Sequence, residues 1–116
     1  MKKIKVAIWG LGRAAQLQHI PEINKLPDLY KIAGCYDILP QRSAEIAQRT
    51  NSHCYNSVEE MLQDSEVELV SIVTRHADHV PQAIQAIEAG KRVFLEKPLA
   101  VSFAQLQALK DTADKH

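Results

Sequence analysis

From residue 4 onward the chain alternates short apolar runs with helix-length amphipathic segments. The runs are VAIW at 6–9, IAGCY at 32–36, a weaker HCY at 53–55, LVSIV at 69–73 and RVFL at 92–95. LVSIV is an unbroken apolar and β-branched stretch, which suits a strand buried on both faces and therefore central in a sheet. Between the runs, residues 13–25 predict a first helix with Leu17, Ile20 and Ile23 inward, which Pro21 must kink or divide into two short helices. His19, within it, is expected to pack or cap locally. Pro40 suits the first turn of a second helix carrying Ala44, Ile46 and Ala47. Ser57 and Glu60 form a capping box ahead of Val58, Met61 and Leu62.

Residues 78–89 place Val80, Ala83, Ile84 and Ile87 at i, i+3, i+4 and i+7, and Gly90 stands where a helix-ending left-handed residue belongs. A second capping box, Ser102 with Gln105, opens a last helix with Phe103, Leu106, Leu109 and Ala113 as its inner face. The βαβα alternation, with no repeat and no linker, predicts one α/β domain over residues 1–116: a doubly wound parallel sheet of about five strands with helices on both faces.

Charge removes several classes of partner. The 116 residues hold 14 Lys plus Arg against 14 Asp plus Glu, so no basic field is available for nucleic acid or an anionic membrane. The basic start, MKKIKV, is broken by Lys5 and Arg13 and has no small-residue cleavage pattern, so neither a signal peptide nor a membrane span is expected and the cytoplasm is the expected location. Cys35 and Cys54 show no metal-ligand spacing and no C-x-x-C, which predicts buried free thiols.

The candidate chemistry starts where the first run ends. Gly10-Leu11-Gly12-Arg13-Ala14-Ala15 has the spacing G-x-G-x-x-A between a predicted strand and a predicted helix. Gly10 permits a sharp turn, Gly12 lets backbone N–H groups approach a pyrophosphate, and Ala15 lets the helix pack close to the strand. The helix start adds unpaired N–H donors and a partial positive charge. About 20 residues further, at the end of the second run, stands Asp37, a carboxylate placed to accept the hydroxyls of an adenosine ribose. Its charge would repel a 2′-phosphate and Ile38 beside it offers no cation, so NAD is expected over NADP, with Arg42 the one reservation. Together these features predict the Rossmann version of the doubly wound sheet.

In such sheets ligands bind beyond the carboxyl ends of the strands, where strand order reverses. The other predicted strand ends are Thr74-Arg75-His76 and Glu96-Lys97-Pro98. His76, Asp78 and His79 alone are too few for a zinc site, and no metal is expected. TRHADH followed by AIEAGKRVFLEKPLA resembles the glucose-fructose oxidoreductase, inositol dehydrogenase and rhizopine-catabolism oxidoreductase family, and the resemblance runs from GLGRAA through Asp37 to EKP. It implies that Gly10, Leu11, Gly12, Arg13 and Ala14 hold the pyrophosphate and Asp37 the adenosine ribose. Thr74, His76 and His79 match a T-P-N-x-x-H segment lining the cofactor. Glu96 and Lys97 match an E-K-P motif whose lysine serves the nicotinamide and the substrate hydroxyl, making Lys97 the catalytic candidate, with Pro98 fixing the turn.

Three departures stand out. Ala15 replaces the commoner third glycine, and Arg75 and His76 stand where Pro and Asn are usual. The family's second, substrate-binding domain, with its proton-shuttling histidine, and a sixth strand are absent from this chain. The expectation is a truncated, cofactor-binding half of an oxidoreductase that moves hydride between nicotinamide and a sugar, polyol or related secondary alcohol, itself inactive and prone to self-association into a homo-oligomer through an exposed fifth strand. The rival reading is a non-catalytic dinucleotide-sensing module of the same fold.

Overall fold

The structure, a computed structural model, describes residues 3–95 and 103–116. Five parallel strands form one sheet: β1 (Ile4–Trp9), β2 (Tyr30–Tyr36), β3 (His53–Cys54), β4 (Leu69–Ile72) and β5 (Arg92–Leu95). Their order is β3-β2-β1-β4-β5. The chain therefore builds outward from β1 on one side, then crosses back to build outward on the other, and the reversal lies between the carboxyl ends of β1 and β4. The helices are α1 (Ile20–Asn24), α2 (Pro40–Thr50), α3 (Val58–Gln63), α4 (His76–Glu88) and α5 (Phe103–Lys115).

Strand β1 is the axis of the molecule, and its alternation feeds two cores. Val6 and Ile8 join Leu11, Ala15, Ile20, Cys35, Ile46 and Ala47 on the side of α1 and α2. Ala7 and Trp9 join Met61, Leu62, Val70, Ile72, Ala83 and Ala86 on the side of α3 and α4. Two-sided burial explains why β1 and β4 read as continuous apolar runs. On α4, Ile84 and Ile87 are half-buried while Ala86, absent from the i, i+3, i+4 pattern, is fully buried, since small residues let this helix lie close to the sheet. Gly90 has φ +85°, the left-handed stop its position predicted.

Four details depart from the periodic reading. A π-helical turn, Ala15–His19, precedes α1 and runs into it without a break, its last bond running from Ile20 N–H to the Ala15 carbonyl. Pro21 follows inside the same helical run, and the bond its missing N–H cannot make falls where the register changes from π to α, so the proline coincides with a register change and not with a break. The wider turn carries Ala15 and His19 inward and swings Leu17 out, leaving Leu17 64% exposed and correcting its assignment to the core. On α2, Ala44 is exposed and Ser43 takes the inward place.

The last helix corrects a third inward-facing residue. Leu109, on α5 where it rests against α4, packs against the α3/α4-side core, but Ala113 is exposed. Finally, the capping box at α3 is rearranged: Ser57 Oγ accepts the Glu60 N–H at 3.1 Å, while the Glu60 carboxylate accepts from Asn56 N–H, one residue earlier than the motif requires.

Strand β2 carries a bulge with a consequence for the site. Val6 pairs Ile32 and Ala7 pairs Gly34, so Ala33 is an extra residue. The insertion resets the side-chain alternation: Ile32 and Cys35, three residues apart, both face the α2-side core, while Ala33 and Tyr36 pack on the other. Asp37, two residues past Cys35, therefore emerges beside α2. Gly34 is required on the opposite face, where a Cβ would lie 2.4 Å from the ring of Tyr55.

Candidate functional site

The carboxyl ends of β1, β2 and β4 surround an open cleft of about 850 Å³. Its floor is the turn Gly10, Leu11, Gly12, Arg13 and Ala14; its walls include Trp9, Tyr36, Asp37, Ile38 and Arg42 on one side and Val73, Thr74, Arg75, Asp78 and Gln82 on the other.

Each glycine of the turn has its own reason. Gly10 adopts φ +97°, and a Cβ there would sit 2.8 Å from both the Val73 carbonyl oxygen and Thr74 Cγ2. The turn can therefore press against the end of β4 only with glycine. Around Gly12 a Cβ would meet no protein atom within 4 Å. The space it would fill belongs to the cleft. The Gly12 carbonyl accepts the first helical bond, from Gln16 N–H at 3.1 Å, so the segment after Gly12 is already helical and its leading N–H groups are at the cleft.

Asp37 is 7% exposed and touches both the turn and α2. Its Oδ2 accepts Leu11 N–H at 2.8 Å and its Oδ1 accepts Leu39 N–H at 2.9 Å. The Arg42 guanidinium lies 3.6 Å from Oδ2. A carboxylate offers about four acceptor positions, so two backbone donors leave capacity for ligand hydroxyls. Ile38, the next residue, is 83% exposed at the rim.

On the β4 side, Thr74 Oγ1 donates to Gln82 Oε1, and the Thr74 carbonyl accepts from His79 Nε2 at 2.8 Å. A carbonyl only accepts, so Nε2 carries the proton in this arrangement. His79 is 2% exposed and thus acts from behind the wall, holding the strand-end loop that carries Thr74. Arg75, 87% exposed, reaches Asp78 Oδ2 at 3.2 Å, an exposed pair of little energetic weight. His76 supplies the first residue of α4, with its side chain outside the described residues; Glu96, Lys97 and Pro98 lie outside them altogether.

The structure thus brings together the glycine turn, Asp37 and Thr74 on one cleft, with His79 as support. The sequence reading did not place Trp9, Tyr36 or Gln82 on the cleft wall, nor Ser43 behind Asp37. Trp9 and Tyr36 end β1 and β2, so their position at the strand ends was the available signal.

The nucleotide site fits these residues: an open space at Gly12, helix-start donors beside it and a carboxylate at the end of β2. Residues 4–116 match the oxidoreductase family GFO_IDH_MocA, described as an NAD-binding Rossmann fold. An uncharacterised oxidoreductase of Schizosaccharomyces pombe is 31% identical over 115 residues, covering 97% of this chain and 31% of the relative. The scyllo-inositol 2-dehydrogenase (NADP(+)) IolW of Bacillus subtilis is 31% identical over 113 residues, covering 97% and 30%. The crystal structure of an NAD-binding protein from Listeria innocua superposes with a TM-score of 0.89 at 33% identity, covering 98% of this chain and 33% of that one. The chain spans about a third of the length of these relatives. With the family model matching residues 4–116 and a reversed strand order in the sheet, the chain belongs to this oxidoreductase family, and residues 4–116 form its NAD-binding Rossmann domain.

Proposed function

We propose that this domain is the cofactor half of an enzyme that transfers hydride between a nicotinamide and a sugar, polyol or related secondary alcohol, and that it prefers NAD to NADP. The observation that carries the reading is the Asp37 carboxylate, buried at the end of β2 and within 2.8 Å of the glycine-turn N–H of Leu11. A carboxylate there accepts the 2′- and 3′-hydroxyls of the adenosine ribose and repels a 2′-phosphate. Arg42, the nearby cation, already faces that carboxylate at 3.6 Å, and Ile38 adds no charge. The relative from Bacillus subtilis is named for NADP(+), which makes the preference worth measuring.

In this reading the turn Gly10–Ala14 and the first helical N–H groups hold the pyrophosphate, and Thr74, kept in place by Gln82 and His79, borders the nicotinamide half with His76. When bound, the dinucleotide supplies the hydride acceptor or donor. Glu96 orients Lys97, whose ammonium stabilises the negative charge that develops on the substrate oxygen and relays its proton; this role rests on the family's E-K-P motif. The substrate is held by a second domain that residues 1–116 do not include. We place the protein in the cytoplasm, where free thiols such as Cys35 and Cys54 stay reduced; among the described residues no helix is long and apolar enough to cross a membrane.

Trp9, the chain's single tryptophan, is at the cleft, so energy transfer from its indole to a bound reduced nicotinamide reports binding. NADH is expected to bind more tightly than NADPH, and Asp37→Ala to erase the difference. A tighter NADPH complex, or NADH affinity unchanged in Asp37→Ala, would reject the ribose assignment.

A further inference from the structure

We propose that Ser43, on α2, is a positioning residue for dinucleotide recognition: it fixes the backbone of Asp37 so that the carboxylate presents its acceptors to the adenosine ribose. The inference rests on the reading that Asp37 binds that ribose.

Asp37 lies beyond the sheet. The ladder around the end of β2 closes with Gly10 N–H on the Tyr36 carbonyl at 2.8 Å and Tyr55 N–H on the Cys35 carbonyl at 3.1 Å. The next residue is left with a buried N–H and carbonyl that no neighbouring strand reaches, and Ser43 takes both. Its Oγ accepts Asp37 N–H at 2.7 Å and donates to the Asp37 carbonyl at 3.2 Å.

Ser43 is itself held on two sides and is 1% exposed. Its N–H donates to the Leu39 carbonyl at 3.2 Å as part of the first turn of α2, and its carbonyl accepts from Cys35 Sγ at 3.5 Å. One hydroxyl thus ties the end of β2 to the start of α2. With the backbone pinned, the Asp37 side chain is confined between Leu11 N–H and Leu39 N–H, and a ribose meets a carboxylate whose orientation is already set. Affinity gained this way comes from ordering done before the ligand arrives.

A role in recognition differs from a role in stability alone by its dependence on the ribose hydroxyl. The test measures dissociation constants of the full 116-residue chain for NAD and for its 2′,3′-dideoxyadenosine analogue, which lacks both hydroxyls Asp37 would accept, in the parent, Ser43→Ala, Asp37→Ala and the double variant. Ser43→Ala is expected to weaken NAD by about tenfold, to change the analogue by less than about twofold, and to add nothing once Asp37 is alanine. Equal losses for both dinucleotides, additive losses in the double variant, or no loss at all would overturn the proposal. If Asp37→Ala weakens NAD while Ser43→Ala does not, the Ser43 role alone fails; if Asp37→Ala leaves NAD binding intact, the ribose reading fails and takes the Ser43 role with it. Should Ser43→Ala not fold, Ser43→Cys, of similar size and a weaker hydrogen-bonding group, carries the same comparison.

Discussion

Alanine placed at Gly10 and at Gly12 separates folding from binding within one turn. At Gly10 the φ of +97° is strained for any L side chain, and the new Cβ would stand 2.8 Å from the Val73 carbonyl oxygen. Backbone strain of about 1–3 kcal/mol and overpacking of similar size together predict a loss of about 2–6 kcal/mol. At about 4 °C per kcal/mol for a domain of this length, Gly10→Ala melts about 8–24 °C below the parent. At Gly12 the Cβ meets no protein atom within 4 Å, and φ lies outside the left-handed region. The entropy removed from the unfolded chain opposes the poorer N-cap preference of alanine, so stability moves by no more than about 1 kcal/mol. The methyl group would nonetheless occupy the space through which backbone donors approach a pyrophosphate, and NAD affinity is expected to fall at least about tenfold. Circular dichroism melts and Trp9 fluorescence titration with NADH read the two effects separately. A parent-like melting temperature in Gly10→Ala would refute the packing argument, and parent-like NADH binding in Gly12→Ala would refute the placement of the pyrophosphate.

Tyr55 O–H donates to Asp64 Oδ2 at 2.7 Å; burial first, then this bond, raises the tyrosine pKa, and the bond holds that of Asp64 below its ordinary 3.8. The Asp64 contribution is therefore complete above about pH 4 and fades as pH falls through the lowered value, while that of Tyr55 is complete below pH 10.0 and fades as pH rises through the raised one, so denaturation free energies should show both shoulders and Tyr55→Phe should reduce both. Among the described residues β5 pairs only with β4, and Phe94 on it is 52% exposed, so sedimentation at micromolar concentration is expected to show association; a lone 13.0 kDa species would contradict this. The 116-residue chain is expected to bind cofactor and oxidise no polyol or sugar, and any measurable turnover would overturn the two-domain reading. In a longer version carrying the substrate domain, Lys97→Met should lower kcat by about 10² or more with cofactor affinity intact; an unchanged kcat would favour a dinucleotide sensor.

The glycine turn was legible because Gly10 answers to a local necessity, a positive φ pressed against the end of β4, and Gly12 leaves the cleft open where a Cβ would project. The parallel sheet followed from the alternation of runs and helices, since parallel strands require crossovers. The misplacement of Leu17 has a different origin. A period of 3.6 was applied to a segment that is π-helical between Ala15 and His19, and nothing in AQLQH announces the wider turn except the proline two residues after it. Ser43 was equally hidden: a serine four residues into a helix is unremarkable until the partner across the β2–α2 connection is known.

The position of Asp37 depends on a residue that patterning treats as noise. In IAGCY an uninterrupted period of two would send Ile32 and Cys35 to opposite faces, and Asp37 with Cys35 away from α2. The extra residue Ala33 reverses this, and Gly34 makes the reversal tolerable by leaving room for the Tyr55 ring that closes the opposite face. Tyr55 is in turn anchored through its hydroxyl to Asp64 at the end of α3. A carboxylate identified from sequence only by its place after a strand therefore reaches the glycine turn because a bulge, a missing side chain and a buried tyrosine act together. Its place beside Leu11 N–H is set by the packing of the opposite face of the sheet as much as by its own hydrogen bonds.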